Sequence, residues 1–236
     1  VPTADLVDEV TDVGREALMR AANDPVFLEA LWLLAHLPQA AGSADFATAL
    51  ADLGFPTRAP GSLAELLAVF GNTLERVQRR FPGTGTDLGE LARQAALSAL
   101  ADTLQPRLPA LWQPTAEDVR HCLASLRSPE AFADLAQRFY SRWVERVIHH
   151  FIDRNLHRMI GPERATKSLH DLDTFNAAIR RHCDEASLIM RGFARDWLGK
   201  HVYRDGKLLT REDVRSFASY SAEKLRLELA QRKGMQ

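Results

Sequence analysis

Apolar positions in this chain recur in steps of three and four almost throughout, and caps, prolines and glycines mark the breaks between periodic stretches. That period predicts helices. Leu6, Val10, Val13 and Leu18 line a first helix running from a Thr3 cap to about Ala22. Asn23-Asp24-Pro25 restarts the chain, because proline tolerates a first helical turn. Val26 to Leu37 is apolar nearly all round, which predicts a helix at the centre of the core. Ser43 is placed to cap a short helix stopped by Gly54, and Ser62 with Glu65 reads as a capping box opening Leu63 to Phe81. Thr86 with Gly89-Glu90 leads into a helix reaching Leu104.

Pro106, Pro109 and Pro114 form a stiff connector around Trp112, and the subdomain boundary is placed there: residues 1–112 and residues 113–236. Behind it, Thr115 and Asp118 form a capping box. Ser128-Pro129-Glu130 then opens a long helix extending to the Gly161-Pro162 stop, with Phe132, Leu135, Phe139, Val144, Val147 and Ile148 in its core stripe. A second long helix is predicted from about Leu172 to Leu198, with Ile179, Cys183, Ala186, Met190, Phe193 and Trp197 on one face. The Asp205-Gly206 signal within Val202 to Leu208 predicts a small β-hairpin, and Thr210 with Asp213 caps a last helix to about Arg232. The fold class is therefore all-α. Eight or nine helices are expected, a small helical subdomain packing on a bundle of two long antiparallel helices with a minor hairpin.

Charge changes this picture more than composition does. Residues 1–118 hold 8 Lys and Arg against 16 Asp and Glu, a net of −8, whereas residues 119–236 hold 22 against 15, a net of +7. Seven of the eight histidines also lie in the second half. Such sorting points to a polyanionic or acidic partner for the basic half, or to that half docking on its own acidic one. The long helix concentrates the signal. Arg138, Arg142, Arg146, His150, Arg154 and Arg158 lie off its core stripe with Tyr140 and Trp143 among them, a pattern suited to phosphate contacts and base stacking. The expected partner is therefore a nucleic acid or an acidic protein subunit.

Other chemistry is sparse. Glu145, His149, Asp153 and His157 recur every four residues, but no second helix supplies a matching ligand pair, so they read as a wet helix face and no metal or cofactor is expected. Cys122 and Cys183 are far apart inside helical patterns and read as buried reduced thiols. Gly83-Thr84-Gly85 lacks the Gly-Lys-Ser/Thr of a phosphate loop. The longest apolar run, Ala30 to Leu37, contains His36 and is far shorter than the ~20 residues of a membrane span. The N-terminal residues do not read as a signal peptide, and an initial Val suggests a trimmed chain. These absences predict a cytoplasmic protein with no membrane association. The preference for Arg over Lys, 25 to 5, suggests a GC-rich bacterial origin.

Arg195-Asp196-Trp197-Leu198-Gly199-Lys200-His201 resembles the Arg, polar residue, short spacer, His signature of HEPN ribonucleases, all-α proteins of bacterial defence and toxin systems. The resemblance covers seven residues, and the same spacing class recurs at Arg164/His170 and Arg142/His149. It implies Arg195 and His201 acting without metal on an RNA backbone, with Asp196 in the polar position. The favoured expectation is instead a non-catalytic helical interaction or assembly subunit whose basic half makes the contact. The ribonuclease is the alternative.

Overall fold

The computed structural model describes residues 18–81, 87–109, 113–159, 169–204 and 209–233, with side chains described outside 151–159, 169–172, 175, 203–204 and 230–233. Nine α-helices lie among these residues: α1 (Pro25–Ala41), α2 (Phe46–Asp52), α3 (Leu63–Arg80), α4 (Asp87–Leu104), α5 (Ala116–Ala124), α6 (Pro129–Met159), α7 (Leu169–Ser187), α8 (Ile189–Leu198) and α9 (Arg211–Lys233). No strand occurs among the described residues. The Thr3-capped helix falls outside them except for its last turn, Leu18 to Ala21.

Local chemistry fixes the helix starts. The Asp24 carboxylate accepts from the N–H groups of Val26 and Phe27 at 2.8 and 3.1 Å, satisfying donors that the first helical turn leaves open. Thr115 and Asp118 bond reciprocally, as do Thr210 and Asp213, and Ser128 accepts from Ala131 N–H. Two caps differ from expectation. Asp45, not Ser43, accepts from Thr48 N–H at the start of α2. Glu65 accepts from Gly61 N–H at 2.7 Å, so the Ser62 box closes one residue further out.

Packing follows the apolar faces. Val26, Phe27, Ala30, Leu31, Leu33, Leu34 and Leu37 are all buried, which makes α1 a central helix contacting α2, α3, α4, α5 and α9. The 31-residue α6 is the second centre and packs against α4, α7 and α8. Ala92, Ala95, Ala96 and Ala99 give α4 a smooth buried face, and small side chains let neighbouring helices approach closely. One continuous core draws on both sides of the proline connector: Leu33, Leu66 and Leu100 before it, Phe139, Met190 and Leu225 after it.

Three expectations change. Tyr140 and Trp143, expected on the basic outer face of α6, are both 0% exposed. Phe27 reaches Phe139, Tyr140 and Trp143 with ring centroids 5.5, 6.0 and 5.1 Å away. Neighbours on more than one side of α6 bury more than one of its faces, so these rings belong to the core. The expected second long helix is interrupted at Leu188 into α7 and α8. Val202 to Arg204, expected as a first strand, instead lie in a wide helical turn, Gly199–Arg204, and the Asp205-Gly206 turn is outside the described residues. No described helix is long and apolar enough to cross a membrane.

The aromatic junction makes a sharp stability prediction. Phe27→Ala should cost about 3–5 kcal/mol, a large share of an ordinary domain's stability. Leu227→Ala, at a residue 40% exposed, should stay within about 0.5 kcal/mol of wild type. Urea unfolding monitored by circular dichroism checks both. Comparable losses at the two sites would contradict the packing described.

Candidate functional site

The predicted contact residues of α6 divide sharply once α4 is in place. Arg142, Arg146 and His150 are four residues apart and so form one stripe. That stripe meets α4 at three points: Arg142 pairs with Asp102 at 3.2 Å, Arg146 donates to Ser98 Oγ at 2.7 Å, and His150 Nε2 lies 3.2 Å from Asp87. Burial lowers the Arg146 pKa, the cost of setting a guanidinium between two helices. Arg138, one turn earlier, is exposed. The side chains of Arg154 and Arg158 lie outside the described residues. Half of the predicted surface therefore faces the chain's own acidic half.

Glu145, the first member of the four-residue acid–histidine stripe, is buried and bonded at both oxygens. Arg180 donates to Oε1 at 2.9 Å and Arg142 to Oε2 at 3.2 Å. Burial works against ionisation, but the two guanidinium groups outweigh it and hold the Glu145 carboxyl below its ordinary range. His149 is half-buried, and the side chains of Asp153 and His157 are outside the described residues. Among the described residues no group of three or more His, Cys, Asp or Glu is placed to hold a metal ion. Cys122 and Cys183 are buried free thiols, and burial raises both pKa values.

The Arg195–His201 segment spans the end of α8 and the wide turn after it. Arg195 Nε donates to Asp196 Oδ1 at 3.2 Å, and both side chains are more than half exposed. His201 turns elsewhere. Its Nδ1 lies 2.9 Å from the Trp197 carbonyl oxygen, and its Nε2 faces Asp213 at 3.7 Å on the cap of α9. The imidazole thus ties the end of α8 to the start of α9.

A different surface emerges on the outer side of α7 and α8. Leu188 and Ile189, at the break between them, are 49% and 38% exposed. Arg181, Leu188 and Arg195 are seven residues apart, two helical turns each, and all three are exposed. Arg191 flanks them with its side chain 54% exposed while reaching Asp134 at 2.7 Å. One turn beyond Ile189, half-buried Phe193 stacks on the 47% exposed Tyr220 of α9 at 4.2 Å. The result is an apolar patch whose surroundings carry arginines together with the exposed acids Asp184, Glu185 and Asp196. Its signal was present in the sequence, since Leu188 and Ile189 fall off the Ile179, Cys183, Ala186, Met190 stripe that marks the buried face.

Two variants test the electrostatic assignments. The folded Glu145 carboxyl binds a proton less readily than the unfolded one, so its contribution to stability is complete above pH ~4.5 and is lost as pH falls through the lower folded pKa. Glu145→Gln should accordingly make the unfolding midpoint less sensitive to acid below that pH in urea titrations. His201→Ala should remove about 1 kcal/mol and lower Tm by roughly 2–4 °C in calorimetry. An unchanged Tm would free His201 from the structural role its contacts assign.

No protein-family model, curated protein or solved structure matches the chain, so its surface chemistry is the guide to its role.

Proposed function

We propose that the chain is a non-catalytic helical interaction subunit whose basic C-terminal half contacts an acidic protein partner. The carrying observation is the exposed pair Leu188 and Ile189, with Arg181, Arg191 and Arg195 and the exposed acids Asp184 and Glu185 around them. Apolar side chains at the centre with arginines around them match the anatomy of protein–protein contacts, where buried anchors supply affinity and rim charges supply orientation. A phosphate backbone offers little to bury Leu188 or Ile189 against. The nucleic-acid version of the reading loses support from the burial of Tyr140 and Trp143 and from the pairing of Arg142 and His150 with acids of the same chain.

The test compares two variants of the full chain against two kinds of partner. Leu188→Glu should weaken binding of an acidic partner protein by at least about tenfold, while Tm stays near wild type because the residue is exposed. Single-stranded and duplex oligonucleotides should not bind at physiological salt. Oligonucleotide binding that falls steeply with salt, is lost on changing Arg181, Arg191 and Arg195 to Glu, and survives Leu188→Glu would replace the protein partner with a nucleic acid.

A further inference from the structure

A cleft between α1, α3 and the start of α9 has two chambers that share Glu29, Val77 and Arg211. Each holds about 170–180 Å³, below the ~300–1,000 Å³ of drug-sized sites and so suited only to a small ligand. The chambers differ in chemistry. The first is walled by Leu28, Val77, Val214 and the 48% exposed ring of Phe81. The second is lined by Arg76 and Arg80, which stand four residues apart on one side of α3.

The dividing wall is fixed. Arg211 grips the Glu29 carboxylate with both terminal nitrogens, and its guanidinium lies over the Trp32 ring at 4.6 Å. Glu29 is buried, so this fork is what makes its charge tolerable there. His36 also stacks on Trp32, with ring centroids 3.5 Å apart. Arg76 is also positioned. It donates to Thr73 Oγ1 at 2.9 Å and to the carbonyl of Gly54, whose φ of +78° ends α2 in the left-handed conformation glycine tolerates. Arg76, Arg80 and Arg211 exceed Glu29 and Asp52 by one positive charge around the second chamber, and Arg211 is already committed to Glu29.

We infer that this cleft binds a small organic phosphate, its phosphoryl group on Arg76 and Arg80 and its apolar body against Val77, Val214 and Phe81. Two adjacent guanidinium groups can donate in parallel to the three oxygens of a phosphoryl group, more acceptors than a carboxylate offers. The apolar chamber shares Val77 with the second chamber, so the ligand's phosphoryl group and apolar body lie on either side of that side chain. The site involves α1, α3 and α9 and is independent of the patch at Leu188.

Phenyl phosphate is the probe, with inorganic phosphate, benzoate and phenol as comparison arms, each titrated calorimetrically into the full chain at low salt. Phenyl phosphate should saturate the protein and bind at least about tenfold more tightly than each of the other three. Arg80→Gln should weaken phenyl phosphate and inorganic phosphate alike, by about tenfold, without lowering Tm, since Arg80 is exposed. Phe81→Ala should weaken phenyl phosphate and leave inorganic phosphate unchanged. Failure of phenyl phosphate to saturate overturns the site. Binding indifferent to Arg80→Gln overturns the anion assignment, and equal affinity for phenyl phosphate and inorganic phosphate overturns the apolar half.

Discussion

The contact of Phe27 with Phe139, Tyr140 and Trp143 is the constraint from which the remaining architecture follows. It joins the two central helices, one from each side of the proline connector, through four of the largest fully buried side chains among the described residues. Rings of this size are costly to bury unless their polar tips are answered. Here both are. The Tyr140 hydroxyl bonds Ser221 on α9, and the Trp143 N–H points to the Leu88 carbonyl at the start of α4, 3.5 Å away. The aromatic cluster therefore fixes the positions of four helices at once. Burial at this junction also separates the aromatics from the arginines that flank them in sequence.

Charge sorting acts on top of that packing. Arg142 meets Asp102, His150 meets Asp87, Arg211 meets Glu29, and Arg120 donates to the carbonyls of Ala41 and Ser43 at the end of α1. Each contact joins a basic group of the second half to the acidic first half, and a cation at a helix C-terminus is favoured by the helix dipole. Partly exposed ion pairs of this kind contribute little net stability, roughly 0–1 kcal/mol each. Their effect is on orientation. Arg142, Arg146 and His150 meet Asp102, Ser98 and Asp87, so side chains of α6 are tied to both ends of α4.

Much of this fold was legible in the sequence because helix ends are local. Asp24-Pro25, Thr115 with Asp118, Ser128-Pro129 and Thr210 with Asp213 mark starts that the structure reproduces, each through bonds spanning three residues or fewer. The misreadings are of another kind. A single apolar stripe assigns one buried face to α6, but α4, α7 and α8 pack around it, so Tyr140 and Trp143 off the stripe are buried too. The break at Leu188 carries neither glycine nor proline, and the Asp205-Gly206 signal suggested strands where Val202 to Arg204 remain helical. The candidate surface was only half visible for the same reason. Arginine positions can be read from sequence, but which arginines find carboxylates across the fold depends on which helices become neighbours.

The distinction between engaged and exposed arginines bears directly on the proposed contact. On α6, Arg142 is only one-third exposed and holds two carboxylates, so a partner recruiting it would first have to break both contacts. Arg181 and Arg195 are more accessible: the first is exposed, and the second, 54% exposed, pairs among the described residues with its exposed neighbour Asp196. Exposed arginines screened by salt orient a partner without holding it strongly. Affinity must then come from removing apolar surface from water, worth about 25 cal/mol per Å², and on this face Leu188 and Ile189 are the side chains that offer it. Both sit out of phase with the buried stripe of Ile179, Cys183, Ala186 and Met190, and the parts of Leu188 and Ile189 left uncovered, 49% and 38%, are the apolar surface that the proposed contact would remove from water.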